Sequence, residues 1–255
     1  MVESEHMFEL HPLDVSDVEL ASYSARLQRY ACQYGMDLDD ECALLCVKYL
    51  LYVMQANDSM NLTRIDTVDD GLVLHIVDSL IFTSYCDFTS GLFLDMGTGA
   101  GFPGIPFHLM TGLDGILLDS VAKKLNIVET ISTELGITGL TCVHDRVESF
   151  PTSSAQRFDV VLARAVASLP VLVEYASPCL PIGGQLVVSK GRPTSDERSH
   201  GDAAASICGF ELAVNEELEL PEGYGHRTML VYEKIREPAI KLPRAIGQAK
   251  KHPLG

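Results

Sequence analysis

The segment from Leu92 to Pro106, LFLDMGTGAGFPGIP, constrains the fold more than any other part of the chain. A short apolar run ends at Asp95, Gly97, Gly99 and Gly101 alternate, and a helix is expected to open near Pro103. Alternating glycines let a backbone turn sharply and approach a ligand without a Cβ in the way. Pro103 and Pro106 suit a first helical turn, whose amides lack intrahelical partners. Strand–turn–helix units of this kind build sheets by crossovers, and the chain keeps that pattern from Gly91 onward. Strands are predicted at Leu92–Asp95, Gly115–Asp119, Leu140–Val143, Val160–Ala163 and Gln185–Ser189. Between them lie helical runs near Gly104–Met110, Val121–Leu135 and Leu169–Leu180. The alternation predicts an α/β fold with a mostly parallel sheet and right-handed crossovers. Glu211–Leu218 and Thr228–Glu233 suit an antiparallel edge hairpin.

Ahead of Gly91 the period is helical. Leu20, Tyr23 and Leu27 share a face, Gly35 is a stop, and Asp37 caps a run holding Leu44, Val47, Leu51 and Met54. After an NLTRID turn, Leu72, Ile76 and Leu80 line one face of a third helix, Val68 to about Tyr85. The expected organisation is an N-terminal helical cap over residues 1–90, the sheet domain over 91–234, and a basic tail over 235–255.

Composition narrows the setting. No run reaches the ~20 apolar residues of a membrane span, and the acidic start MVESEHMFELHPLD lacks the features of a secretory signal. The seven cysteines are scattered without a C-x-x-C, and Cys42 and Cys46 fit one helix face, so reduced thiols in a cytoplasm and no metal site are expected. The net charge of −16 repels nucleic acid at long range, so a nucleic-acid substrate requires a local basic patch. The acids gather at Glu3–Glu19, Asp37–Glu41 and Glu211–Glu222. The tail PAIKLPRAIGQAKKHPLG holds Lys241, Arg244, Lys250 and Lys251 and no acid; by charge alone it reads as a solvated terminus.

Glycine-rich turns after a first strand serve several cofactors. A dinucleotide fingerprint wants G-x-G-x-x-G around a pyrophosphate. Here the register is G-x-G-x-G, and Phe102 stands where the third fingerprint glycine would sit. Asp95 suits a cofactor bearing an ammonium group, and Asp119, ending the second strand, can accept hydrogen bonds from ribose hydroxyls. Together these features point to S-adenosyl-L-methionine on a class I, Rossmann-like methyltransferase sheet. A structural turn with two incidental acids, or a nicotinamide site, are the alternatives. A sulfonium methyl donor carries its own electrophile, so the protein must align the acceptor and exclude water.

NLTRID, HIVDSL, LDMGTGAGFPGIP, LLDSVAKKLNIVE, DRVESF, FDVVLARAVASL and GGQLVVSKG follow one another in this order. The ordered set resembles the RsmG (GidB) family of bacterial small-subunit rRNA guanine-N7 methyltransferases, from about residue 35 to the C-terminus. Even KLPRAIGQAKKHPLG is similar to the basic tail of Gram-positive members. The resemblance implies methylation of a guanine N7 in the 530 loop of 16S rRNA, with the rRNA or the small subunit as partner; separately, the chain is expected to act as a monomer. It assigns cofactor contacts to Gly97 and Phe102 in the loop, to Val147 and Glu148 of DRVESF near the adenine, and to Arg164 of LARA.

Arg164 is expected to face the cleft, holding the cofactor carboxylate or guanine O6; the structural alternative is an ion pair with Asp159 or Glu148. Lys190 is expected near the rim, where it either holds phosphate or is a solvated charge. With the family in view, Lys241, Arg244, Lys250 and Lys251 are expected on rRNA phosphates. His75 and Asp78 share a helix face and read as helix–sheet packing polars or substrate-placing groups; Asn61 and Arg64 read as turn and cap chemistry. Lys123 and Lys124, at the start of a helix, either contact RNA or form a solvated face. Cys179 closes a helix, too far along for the thiol of cytosine-C5 enzymes. Rival functions are a methyltransferase for small molecules or proteins, a cofactor-binding module without catalysis, and a nicotinamide dehydrogenase.

Overall fold

The computed structural model describes residues 10–60, 62–153 and 157–255. Asn61 and the acidic residues ahead of Leu10 lie outside the described residues. In chain order the elements begin with α1 (Asp17–Cys32), α2 (Asp40–Met60) and α3 (Val68–Gly71), then a π-helical turn (Leu72–Val77), α4 (Asp78–Leu80) and a 3₁₀ turn (Ile81–Tyr85). The sheet region follows as β1 (Leu92–Met96), α5 (Gly104–Thr111), β2 (Asp114–Asp119), α6 (Ala122–Glu134) and β3 (Leu140–His144). It continues with α7 (Phe150–Ser153), β4 (Val160–Arg164), α8 (Leu169–Ala176), β5 (Gln185–Lys190), α9 (Ser195–Cys208), β6 (Phe210–Glu219), β7 (His226–Lys234) and α10 (Gln248–Lys251).

The strands form one seven-stranded sheet in the order β3-β2-β1-β4-β5-β7-β6. β1 to β5 are mutually parallel, and β7 runs antiparallel to both β5 and β6. The predicted hairpin is therefore present, with β7 inside the sheet and β6 at one edge of it. Its exposed glutamates, Glu211, Glu216 and Glu217 among them, discourage pairing with another sheet. Strand alternation divides the core between the two faces. Phe93, Leu117, Leu162 and Val187 pack with α2, α5 and α6. Leu94, Leu118, Val161 and Val188 pack with α8 and α9. Residues of the cap, such as Leu50, Val53 and Ile76, belong to the first of these clusters, so cap and sheet share a continuous core.

Several elements depart from expectation: the third predicted helix is divided into α3, the π-helical turn, α4 and a 3₁₀ turn, and the short helices α7 and α10 are additional. The predicted helix Leu169–Leu180 ends at Ala176 and finishes as a 3₁₀ turn, Ser177–Cys179, because Pro178 lacks the amide an α-helix would use. Helix α9, SDERSHGDAAASIC, is additional. Thr194 accepts from Glu197 N to cap it, and its buried face is Gly201, Ala204, Ala205 and Cys208. A face of such small residues carries little hydrophobic periodicity. It also permits close approach, since a Cβ on Gly201 would lie 2.8 Å from Leu169 Cβ.

The glycine loop after β1 is held from three sides. Gly97 N and Thr98 N donate to Leu118 O at 2.8 and 3.0 Å, tying it to β2. From below, Asp95 Oδ2 accepts from Gly104 N at 2.8 Å, at the start of α5. From the cap, the buried Tyr49 hydroxyl donates to Ala100 O at 3.0 Å. Gly101 has φ +88, and a Cβ there would stand 2.2 Å from Tyr49 Oη. Its glycine thus serves the cap contact.

Tyr49→Phe strands the Ala100 carbonyl and is expected to lower unfolding stability by about 1–2 kcal/mol in denaturant titrations. Burial pushes the Asp95 acid up to about 6, partly offset by the Gly104 amide. Ionising it therefore opposes folding: this contribution is most favourable below the unfolded value of about 3.9 and is lost as pH rises toward 6. Asp95→Asn keeps an oxygen for Gly104 N, so its stability relative to the parent should rise between pH 4.5 and 7.5. Denaturation at both pH values checks this.

Candidate active site

In a parallel sheet whose strand order reverses between β1 and β4, the crevice beyond the strand carboxyl ends is where ligands bind. A cleft of about 410 Å³ opens there, bounded by the glycine loop, the ends of β2 and β4, the segment after β3, the π-helical turn and α10. Gly97, Thr98, Gly99, Phe102, Asp119, Val147, Glu148 and Arg164 all line it.

At the loop, Gly99 has φ +60 and open space where a Cβ would stand, leaving bare backbone toward a ligand. Asp119 closes the next strand end. Its Oδ2 accepts from Gly99 N and its Oδ1 from Val121 N, each at 2.9 Å. Each carboxylate oxygen keeps a second lone pair, so a diol can still be bound. Beyond β3, Val147 supplies an apolar wall. Glu148 Oε1 accepts from the Tyr175 hydroxyl at 2.9 Å, which fixes the acid at the rim.

On the cap side, Phe102 stacks on His75 with ring centroids 4.5 Å apart and planes 7° apart. The Arg164 guanidinium carbon lies 5.9 Å from the centroid of the same Phe102 ring. Arg164 Nη1 donates to Asp78 Oδ2 at 3.1 Å and to Leu74 O and His75 O at 3.1 and 3.4 Å. Those carbonyls belong to the π-helical turn, where the regular ladder is interrupted. Asp78 Oδ1 accepts from Arg227 Nε at 2.8 Å. Burial, with the Arg164 charge beside it, pushes His75 down to about 3, so its ring is neutral. His75 Nε2 lies 2.9 Å from Thr63 Oγ1.

Several sequence expectations are corrected. Asp95 does not line the cleft: it is fully buried beneath the loop and bound to Gly104 N. Gly101 faces Tyr49 of the cap instead of the cleft. The ion-pair partner of Arg164 is Asp78, not Asp159 or Glu148. Lys190 is not open to phosphate: its Nζ donates to Ala167 O at 2.6 Å and pairs with Glu197 at 2.8 Å. Arg244 is likewise turned inward, gripping the buried Glu174. Lys241, Lys250 and Lys251 are exposed, and Lys250 is on the cleft wall. The tail is docked, contrary to a solvated terminus. No sequence motif marks Tyr49, Tyr175, Thr63 or Arg227, which pairs with Asp78, and Lys124, read as an RNA contact or a solvated charge, lines the cleft. The one available signal was the i, i+3 pairing of His75 with Asp78.

Among the described residues, no group of histidine, cysteine, aspartate or glutamate is placed to hold a metal ion, and no helix is long and apolar enough to cross a membrane. The sequence profile of the family described as rRNA small subunit methyltransferase G (GidB) matches residues 44–222. The Ribosomal RNA small subunit methyltransferase G of Carboxydothermus hydrogenoformans is 34% identical over 90% of this chain and 99% of its own length. Among solved structures, the ribosomal protein L11 methylase of Lactobacillus delbrueckii subsp. bulgaricus superposes with a TM-score of 0.52 at 15% identity, covering 68% of this chain and 81% of its own. Geranyl diphosphate methyltransferase in complex with S-adenosylmethionine gives 0.51 at 12% identity, over 62% of this chain and 85% of its own. These two likenesses concern the fold. The sequence matches, spanning cap and sheet alike, place the chain itself: it belongs to the rRNA small subunit methyltransferase G family.

Proposed function

We propose that this protein transfers the methyl group of S-adenosylmethionine to N7 of a guanine in the 530 loop of 16S rRNA. The observation that carries the reading is the convergence of the glycine loop, Asp119, the Val147–Glu148 pair and Arg164 on one cleft. The donor set fits the cofactor by chemistry: bare backbone at Gly99, a carboxylate for the ribose, and an apolar wall and acid for the adenine. The cofactor supplies an electrophilic methyl on a sulfonium, and the rest of the task falls to the protein.

Guanine N7 carries a lone pair and no proton, so the reaction needs no general base. Positive charge develops on the guanine ring as the methyl arrives, and a second cation beside it would raise the barrier. His75 is held neutral at the cleft, while Asp78, shared with Arg227, offsets part of the Arg164 charge and holds its Nη1 on the cap side. Arg164 is thereby left to position a ligand: with Nη1 engaged on the cap, its other donors serve a cofactor carboxylate or guanine O6. Donation to N7 itself would block the nucleophile. Phe102 and His75, stacked together, close the apolar floor between the loop and the cap and keep water from the methyl.

Incubation with labelled S-adenosylmethionine and small subunits lacking the modification should give 7-methylguanosine in the 530 loop on nucleoside analysis. Label in another nucleoside, or turnover without ribosomal RNA, overturns the reading. Asp119→Ala should weaken cofactor binding by about ten- to a hundredfold in calorimetry, since it removes a charged hydrogen-bond acceptor.

A further inference from the structure

The tail is fixed to the protein through Leu242, Arg244, Ala249, Leu254 and Gly255. Arg244 Nε donates to Glu174 Oε1 at 2.7 Å and its Nη2 to Glu174 Oε2, a two-pronged pair with an acid only 3% exposed. Arg244 Nη2 also donates to His252 O at 2.8 Å, closing the tail on itself. Ala249 is buried, and Leu242 and Leu254 pack on the cluster that contains α8. Gly255 lies against α9, where a Cβ would meet His200 O at 2.3 Å. The result is that Lys250 stands on the cleft wall with Lys124, Glu148 and Tyr175, while its neighbour Lys251 is exposed.

Two kinds of basic tail meet RNA differently. A free arm uses every cation and loses its disorder on binding. A docked tail presents only the cations left outside and has already been ordered by its own contacts. Here one guanidinium is spent inward. The charge left outward adjoins the cleft of a chain whose net charge of −16 otherwise repels a polyanion.

Resting on the function proposed above, we infer that the docked tail is the RNA-binding wall of the cleft. The buried Glu174–Arg244 pair is a positioning device that holds Lys250, with Lys124 on the same cleft, against the RNA phosphate backbone. Arg244 itself never touches RNA. The occupant is RNA phosphate because Lys250 and Lys251 lie in a segment, residues 238–255, without a single acid, continuous with the cleft that receives the base.

Simple electrostatics and a docked tail predict opposite outcomes. Removing an acid from an acidic protein should strengthen RNA binding; Glu174→Gln should weaken it, because the tail comes loose. The full-length protein and the Glu174→Gln and Lys250→Gln variants are titrated with small-subunit rRNA across a salt series. Cofactor affinity is measured alongside by calorimetry without RNA. Amide hydrogen exchange over residues 241–254 reports docking.

Lys250→Gln should lose severalfold in rRNA affinity and about 0.7–0.9 of the log–log salt slope, one phosphate contact, with cofactor affinity unchanged. Glu174→Gln should lose at least as much, with faster exchange confined to the tail. Glu174→Gln binding rRNA as tightly as the parent or more tightly overturns the positioning role. If that variant fails to fold, the surface change Lys250→Gln still decides: unchanged rRNA affinity and slope, or a loss of cofactor affinity alone, overturns the inference. A parent that neither binds rRNA nor yields 7-methylguanosine refutes the underlying function instead.

Discussion

Asp78 brings a carboxylate, 3% exposed, between two guanidinium groups from distant parts of the chain. Arg164 reaches it from the end of β4 and Arg227 from β7, each at hydrogen-bond distance. A buried charge is tolerated only when paired and fully hydrogen-bonded, so the cap cannot shift without exposing an unpaired ion. The same contact organises the π-helical turn. Leu74 and His75 turn carbonyls toward Arg164, which donates to both, and His75 O also accepts from the Ser79 hydroxyl. His75 is thereby set against Phe102, and Phe102 is part of the glycine loop. Cap, loop and strand end form one unit, and the cleft is what they enclose.

The arrangement explains why a cap is needed. A glycine loop is intrinsically loose, and β2 and α5 restrain it only from the sheet side. Tyr49 on Ala100 O and His75 on Phe102 restrain it from the other. Between these contacts the backbone at Gly99 stays bare and accessible. On the far side the tail completes the enclosure, so three segments remote in sequence line a single cleft.

Much of this was legible in the residues. The strand–glycine–helix passage and the change of period at Gly91 identified the sheet, and Asp119, Val147, Glu148 and Arg164, singled out in the sequence, line one cleft. What stayed hidden has two physical causes. Helix α9 buries glycine and alanine, which leave no hydrophobic stripe. The roles of Asp95, Lys190 and Arg244 depend on partners, Gly104 N, Glu197 and Glu174, that the topology brings together. Sequence patterns reveal periodicity and motif order. They do not reveal whether a charge will face water or a buried acid.

The claim that cap and sheet are one unit locked through Asp78 is tested most directly by Asp78→Asn. Equilibrium unfolding and methyl transfer would be measured on the same preparation. The account predicts a loss of about 3 kcal/mol in stability, the cost of breaking a buried pair, and at least a tenfold fall in turnover as Arg164 and the loop lose their set positions. Stability and turnover indistinguishable from the parent would contradict it, and would mean that packing alone holds the cap on the sheet.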